Sequence, residues 1–159
     1  MKSYGKTNND HYSIPSAGGT YPLSMVLMIN NVDGLKRGLY QYYPNEEIIV
    51  PLKNEKYILY DKITANLSFM RECVFSVHII GNPELICYKY QDRGYRFMNL
   101  ECGHLAQNLT LVGTTLGVSS VCSGGFLDGA FIEHLNSLTN NNLQDYLSLY
   151  EIYFGYEEL

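Results

Sequence analysis

Two glycine-bearing segments hold the residue types best suited to binding a ligand against backbone. Pro15-Ser16-Ala17-Gly18-Gly19-Thr20-Tyr21-Pro22 is closed by proline at both ends. Its adjacent glycines permit positive φ and close approach of the chain to a bound molecule. Cys122-Ser123-Gly124-Gly125-Phe126 has the composition of a strand-to-helix connection. Neither contains the G-x-G-x-x-G of a dinucleotide site or a P-loop, and each taken singly also fits an ordinary turn.

Other chemistries find less support. Cys73, Cys87, Cys102 and Cys122 stand singly with no C-x-x-C pair, so no metal site is expected and all four thiols are read as buried and reduced. His11, His78, His104 and His134 are equally isolated, and Cys102-x-His104 is too sparse for a metal. Asn66-Leu67-Ser68 and Asn108-Leu109-Thr110 match the glycosylation pattern. The start MKSYGKTNND lacks the apolar centre of a secretory signal, so both matches are read as accidental and a cytoplasmic location is expected. A net charge of -5 argues against a nucleic-acid partner, which would need cations to displace counterions. No apolar stretch has the roughly 20 residues of a membrane helix.

With 159 residues and a hydrophobic fraction of 46%, the chain is read as one domain, 1–159, with a buried core. The two glycine segments need rigid elements to place them. Strands are expected over Ser24 to Asn30, Gly38 to Tyr43 and Ile48 to Leu52, with Pro51 suited to a sheet edge, and over the β-branched run Val74 to Gly81. Met98, Cys102, Leu105, Leu109, Val112 and Leu116 follow the helical period within Tyr95 to Gly117, and Gly117 is placed to end that helix. Lys56 to Ala65 shows weaker helical spacing. Val118 to Val121 and Tyr146 to Phe154 complete the strands, around a helix from Asp128, its expected cap, to Leu138. The first fourteen residues and Asn140-Asn141-Asn142 read as loops. The mixture gives an α+β class with a mostly antiparallel sheet.

The order P-S-A-G-G-T-Y-P, a strand, G-L-Y-x-Y, K-Y-x-D-R-G-Y-R-F, a helix E-C-G-H-L-A-Q-N-L-x-L-x-G-x-x-L-G and C-S-G-G-F resembles the SagB-type (SagB/ThcOx) branch of the FMN-dependent nitroreductase superfamily, over about residues 3 to 155. The resemblance implies a nitroreductase-like fold, a central antiparallel sheet flanked by helices. It also implies a homodimer with FMN at the subunit interface and hydride transfer at the flavin. Pro15, Ser16, Ala17 and Gly18 match the turn that lies against the flavin. Ser123 and Gly124 match the loop near its redox edge, where a backbone N–H would face N5.

Lys89-Tyr90 matches the Lys-Tyr pair of the azoline dehydrogenases in that branch. Turning a peptide thiazoline or oxazoline into a thiazole or oxazole removes an α-proton and a β-hydride, so a base is needed beside the flavin. A partly desolvated Lys89, or Tyr90 with its proton drawn toward Lys89, would supply it. The alternative is a surface charge and a packing residue. Arg93 and Arg96 are candidates for substrate or phosphate contact, or solvated charges beside a helix start.

Two departures stand beside the resemblance. The usual N-terminal Arg-x-Ser-x-Arg-type arm that binds the FMN phosphate has no counterpart, and the C-terminal Glu157-Glu158-Leu159 lacks basic residues. The chain is therefore expected to be the C-terminal part of the full family domain and to hold FMN weakly by itself, Lys2, Lys6 and Arg93 being the internal cations that would reverse this. A cyclodehydratase complex and a precursor peptide are the expected partners. An NAD(P)H-dependent nitro or quinone reductase and a non-catalytic scaffold subunit or remnant are the alternatives.

Overall fold

The computed structural model describes residues 11–52, 60–139 and 142–156. Its first strand, β1 (Leu23–Ile29), is followed by β2 (Gly38–Tyr43) and β3 (Ile48–Pro51), each paired antiparallel with its predecessor. A short helix, α1 (Leu67–Glu72), precedes β4 (Phe75–Gly81), and α2 (Pro83–Tyr90) and α3 (Arg93–Thr115) follow it. The chain then runs through β5 (Ser119–Ser123), α4 (Asp128–Leu138) and β6 (Leu147–Gly155). The strands form one six-stranded sheet of order β3-β2-β1-β4-β6-β5, antiparallel throughout, which is the α+β class expected.

The period-two alternation of the strands divides the core between the two sheet faces. Leu23, Met25, Val77, Ile79, Ile152 and Phe154 pack on one face against Ile86 of α2 and Met98 and Leu105 of α3. Val26, Met28, Ile80 and Tyr153 pack on the other against Met70, Phe131 and Leu135. Helices cover both faces, so the central β4 is buried along nearly its whole length and carries an almost continuous apolar run. Pro51 lies on the edge strand, where a missing N–H costs no ladder bond. Gly117 takes φ +74 just beyond α3, and the amide of Val118 returns to the Gly113 carbonyl at 2.9 Å, closing that helix.

Three elements depart from the sequence pattern. α2 was not legible, because it is short and buries only Ile86, leaving no helical stripe to read; Pro83 starts it and the Asn82 side chain caps the Glu84 amide at 3.0 Å. For the expected helix over Lys56 to Ala65, residues 53–59 lie outside the described residues. The remainder is a 3-10 turn at Tyr60–Lys62 followed by a bridge from Thr64 to Phe126, and the helix begins later, at α1. Asp128 is the first helical residue of α4 rather than its cap. Leu127 holds the cap position without a side-chain bond, and Asp128 instead meets the positive helix end. Residues 1–10, 140–141 and 157–159, with Lys2, Lys6 and the acidic terminus, lie outside the described residues.

The ladder sets the place of both glycine segments. Leu23, Gly81 and Leu147 share one end of the sheet, and the Pro15–Pro22 turn leads into Leu23 there. β5 stops at the Ser123–Glu151 row, short of that end, so the chain leaves the sheet at Gly124 beside the uncovered beginning of β6.

Candidate functional site

The first turn is built on a 3-10 segment, Ala17–Gly19, in which Gly18 and Gly19 take φ +62 and +66 and Tyr21 takes φ +44. Those angles favour glycine and let the backbone fold back within a few residues. Ser16 fixes the turn from below: its hydroxyl donates to Glu101 Oε2 at 2.6 Å and accepts from the Tyr21 amide at 2.9 Å. Glu101, on α3, is 2% exposed, and its Oε1 has no hydrogen-bond partner among the described residues. Burial pushes its carboxyl up to about 7, with the Ser16 hydroxyl opposing the rise.

α2 brings the predicted pair onto this turn. The Lys89 ammonium donates to the Gly18 carbonyl at 3.4 Å, and a Cβ on Gly18 would stand 2.5 Å from Lys89 Nζ and 2.6 Å from the Tyr90 hydroxyl. The glycine leaves room for both side-chain ends. Tyr90 is held by an edge-on contact with Phe97 of α3, centroids 5.0 Å apart. The chain turns from α2 into α3 through Gln91 at φ +50 and ψ −136, a costly conformation for a non-glycine residue that fixes where the pair points. Lys89 is exposed rather than partly desolvated, since it projects from the open end of α2. Arg93 lies over the Phe97 ring, its guanidinium 5.4 Å from the centroid. An open pocket of about 410 Å³ adjoins the turn, with His11, Tyr12, Pro15, Ser16, Gly19 and Tyr21 among its walls.

The second loop is braced from the other sheet face. The Ser123 hydroxyl accepts from Asn66 Nδ2 at 2.6 Å and from the Gly125 amide at 2.9 Å, and the Gly125 carbonyl accepts from the Ala65 amide at 2.8 Å and lies 3.1 Å from Thr64 Oγ1. A Cβ on Gly125 would run into the Asn66 side chain, whereas Gly124 is exposed and a Cβ there would meet nothing. Gly124 does not take a positive φ, so its smallness serves access rather than conformation.

Behind this loop lies a buried polar chain that the sequence did not single out. Glu151 is fully buried and its Oε2 accepts from the Thr64 hydroxyl at 3.0 Å and from the Tyr153 hydroxyl, while Oε1 stands 3.4 Å from His78 Nδ1. His78 Nε2 meets the Ser76 hydroxyl at 3.0 Å. Burial lowers the imidazole to about 3, keeping it neutral, and raises the Glu151 carboxyl against the pull of Tyr153 and Thr64. A signal was present for both acids: Glu101 interrupts the apolar period of α3 between Met98 and Leu105, and Glu151 interrupts the apolar run of β6.

The cysteines divide. Cys73 and Cys102 are buried and pushed up to about 11 and about 12, inert as thiols, but Cys122 is exposed and Cys87 half-buried, because each sits on an outward position of its element. Among the described residues, no group of three His, Cys, Asp or Glu is placed to hold a metal, and no helix is long and apolar enough to cross a membrane.

Known proteins share both sequence and fold with this chain. The family model described as Nitroreductase family matches residues 9–156. A protein of Methanocaldococcus jannaschii carrying a nitroreductase name is 35% identical over 136 residues, which cover 84% of this chain and 68% of the relative. Among solved structures, a chain of the E. coli microcin synthetase McbBCD complex with truncated pro-MccB17 bound superposes with a TM-score of 0.75 at 19% identity, covering 99% of this chain and 60% of that one. A Staphylococcus epidermidis protein carrying the name of an NAD(P)H:FMN oxidoreductase superposes with a TM-score of 0.56 at 12% identity, covering 92% of this chain and 71% of that one. The chain thus spans about two thirds of the length of these proteins, and the six-stranded antiparallel sheet with its flanking helices is a nitroreductase-like fold.

Proposed function

The chain belongs to the nitroreductase family, and on that premise we propose that it is an FMN-dependent dehydrogenase that oxidises peptide thiazolines or oxazolines to thiazoles or oxazoles. The observation that carries this is the convergence of Lys89 Nζ and the Tyr90 hydroxyl on Gly18, with room for both only because that position has no side chain. A positioned base beside a ligand-binding turn is what removal of an α-proton requires.

The residues fit a flavin. The Pro15–Gly18 turn offers small side chains and backbone groups. The Ser123–Gly124 loop, at the same end of the sheet, offers an exposed amide whose Cβ direction is open. FMN, when bound between them, would supply the hydride acceptor, the role its ring plays in this class of enzyme. Lys89 and Tyr90 hold the proton side of the reaction: Tyr90, having first released its own proton to solvent, takes the α-proton as a phenolate, and the Lys89 ammonium stabilises that phenolate before the transfer. The half-buried Tyr90, braced by Phe97, sets the distance.

Apolar side chains exposed along α3, Tyr95, Leu100 and Leu111, suit a homodimer in which a second copy covers them. A cyclodehydratase and its precursor peptide would supply the azoline, in keeping with the fold shared with a chain of the McbBCD complex. The nitroreductase name of the 35% identical relative favours a second possibility, reduction of nitro compounds or quinones by NAD(P)H. Incubation of FMN-reconstituted protein with an azoline-bearing peptide under air tests the proposal. Loss of two hydrogens from the peptide supports it. Flavin reduction by NAD(P)H with no change in the peptide supports the second possibility instead.

A further inference from the structure

We propose that Glu151 is a positioning residue that acts through Thr64 and Asn66 to fix the Ser123–Gly125 loop, so that the Gly124 amide and the Ser123 hydroxyl proton face the flavin. The role rests on the flavin assignment above and assigns a task to core residues that take no part in the proton chemistry.

A buried carboxyl next to a buried imidazole is a costly core element, and well-packed apolar residues would serve stability at least as well. Here the cost goes with a continuous chain of bonds that ends at the loop. Glu151 Oε2 accepts from Thr64 and Tyr153, and the Tyr153 hydroxyl also meets Thr64 Oγ1 at 2.9 Å. Thr64 Oγ1 accepts from the Asn66 amide at 3.0 Å and lies 3.1 Å from the Gly125 carbonyl. Asn66 then holds the Ser123 hydroxyl at 2.6 Å. The far end of the chain is braced as well, His78 standing between Glu151 and Ser76 with all three 0–1% exposed.

The pattern of donors at the loop is what this chain determines. With the Asn66 amide and the Gly125 N–H both donating to Ser123 Oγ, the Ser123 hydroxyl hydrogen has no acceptor among the described residues. The Gly125 carbonyl is taken by the Ala65 amide at 2.8 Å, and the exposed Gly124 N–H meets no acceptor among the described residues. Two donors of the loop are therefore left without an acceptor among the described residues. Donors held rigidly at the edge of a redox ring favour the form that carries more negative charge there, which is the reduced one. Asn66 fills the volume that a side chain at Gly125 would need, so hook and loop are shaped to each other.

Asn66→Ala removes the hook, and Glu151→Gln replaces one of the carboxyl's two acceptor oxygens with an NH₂ donor while keeping its shape. The buried Met28→Leu serves as a packing control away from the loop. FMN affinity is read by fluorescence quenching, and the midpoint potential of the bound flavin by dye equilibration. Asn66→Ala is expected to weaken FMN about tenfold and to lower the preference for reduced over oxidised flavin by a further factor of about ten, roughly 30 mV for a two-electron couple. Glu151→Gln is expected to move the potential, and Met28→Leu to leave it at the parent value. If Glu151→Gln does not fold, the half-exposed Asn66 carries the test alone. Parent-like affinity and potential in Asn66→Ala would overturn the positioning role and leave the flavin assignment standing. Failure of the parent protein to bind flavin even weakly, at the highest FMN concentration tested, would overturn both.

Discussion

Ser16 and Glu101, 85 positions apart in the chain, meet in a 2.6 Å hydrogen bond that ties the glycine turn to the buried side of α3. The carboxyl's ordinary value of 4.5 rises to about 7 in the fold through burial. The folded protein therefore binds this proton more tightly than the unfolded chain. Its contribution is fully present below pH 4.5 and is lost as pH rises through 7. Glu101→Gln keeps an acceptor for Ser16 and removes the ionisation. Between pH 5 and 8 the parent is expected to lose about 1–3 kcal/mol relative to Glu101→Gln, read as the difference between their urea unfolding curves. A difference that stays constant with pH would show that Glu101 does not carry this buried proton.

Lys89 and Tyr90 touch the glycine turn from outside, so removing their end groups should spare the cofactor. Lys89→Ala and Tyr90→Phe are expected to retain bound flavin and to lose azoline oxidation by about 10²–10⁴-fold, the usual effect of a removed general base. Single-turnover reduction of the flavin by the peptide measures the step directly. Parent rates in both variants would reassign the pair to packing and surface charge.

Phe131 fills the core between α4 and the sheet, fully buried with its ring centroid 4.8 Å from that of His78. Phe131→Ala is expected to cost about 3–5 kcal/mol through lost burial and an unfilled cavity. Chemical denaturation followed by circular dichroism reads the loss. A cost below about 1 kcal/mol would mean that α4 is loosely packed.

The strands and the long helix were legible because their signals are local. β-branched runs such as Val74 to Gly81 and the 3.6-residue stripe of α3 report burial directly, and Pro51 and Gly117 mark an edge and an end by what their backbones allow. The turn Pro15 to Gly18, the loop Ser123-Gly124 and the pair Lys89-Tyr90 were legible as motifs. The structure brings the pair onto the turn and sets the loop at the same end of the sheet. The supports beneath them were not legible. Ser16 and Glu101, or Thr64, Asn66 and Glu151, are joined only through the sheet and helix packing, and no sequence spacing reports a bond across 85 or 87 positions. The charged residues inside apolar runs were the available signal, visible as exceptions but silent about their partners.

Gly124 and Gly125 are neighbours with opposite surroundings, and that contrast gives the sharpest check of the loop. Gly124 faces open space with an ordinary backbone angle, so a side chain there costs the fold little and obstructs only what approaches from outside. Gly125 lies against Asn66, so even a methyl group must displace the side chain that holds Ser123. Gly124→Val is therefore expected to unfold like the parent, within about 0.5 kcal/mol, yet to bind FMN at least about tenfold more weakly. Gly125→Ala is expected to lose about 1–3 kcal/mol of stability from overpacking, with flavin binding falling as a consequence. Thermal unfolding of the flavin-free proteins separates the two effects, because it reports the loop's own packing before any ligand is added. If Gly124→Val keeps parent affinity for FMN, the open side of the loop does not face the cofactor. If Gly125→Ala is as stable as the parent, Asn66 is not seated against that glycine.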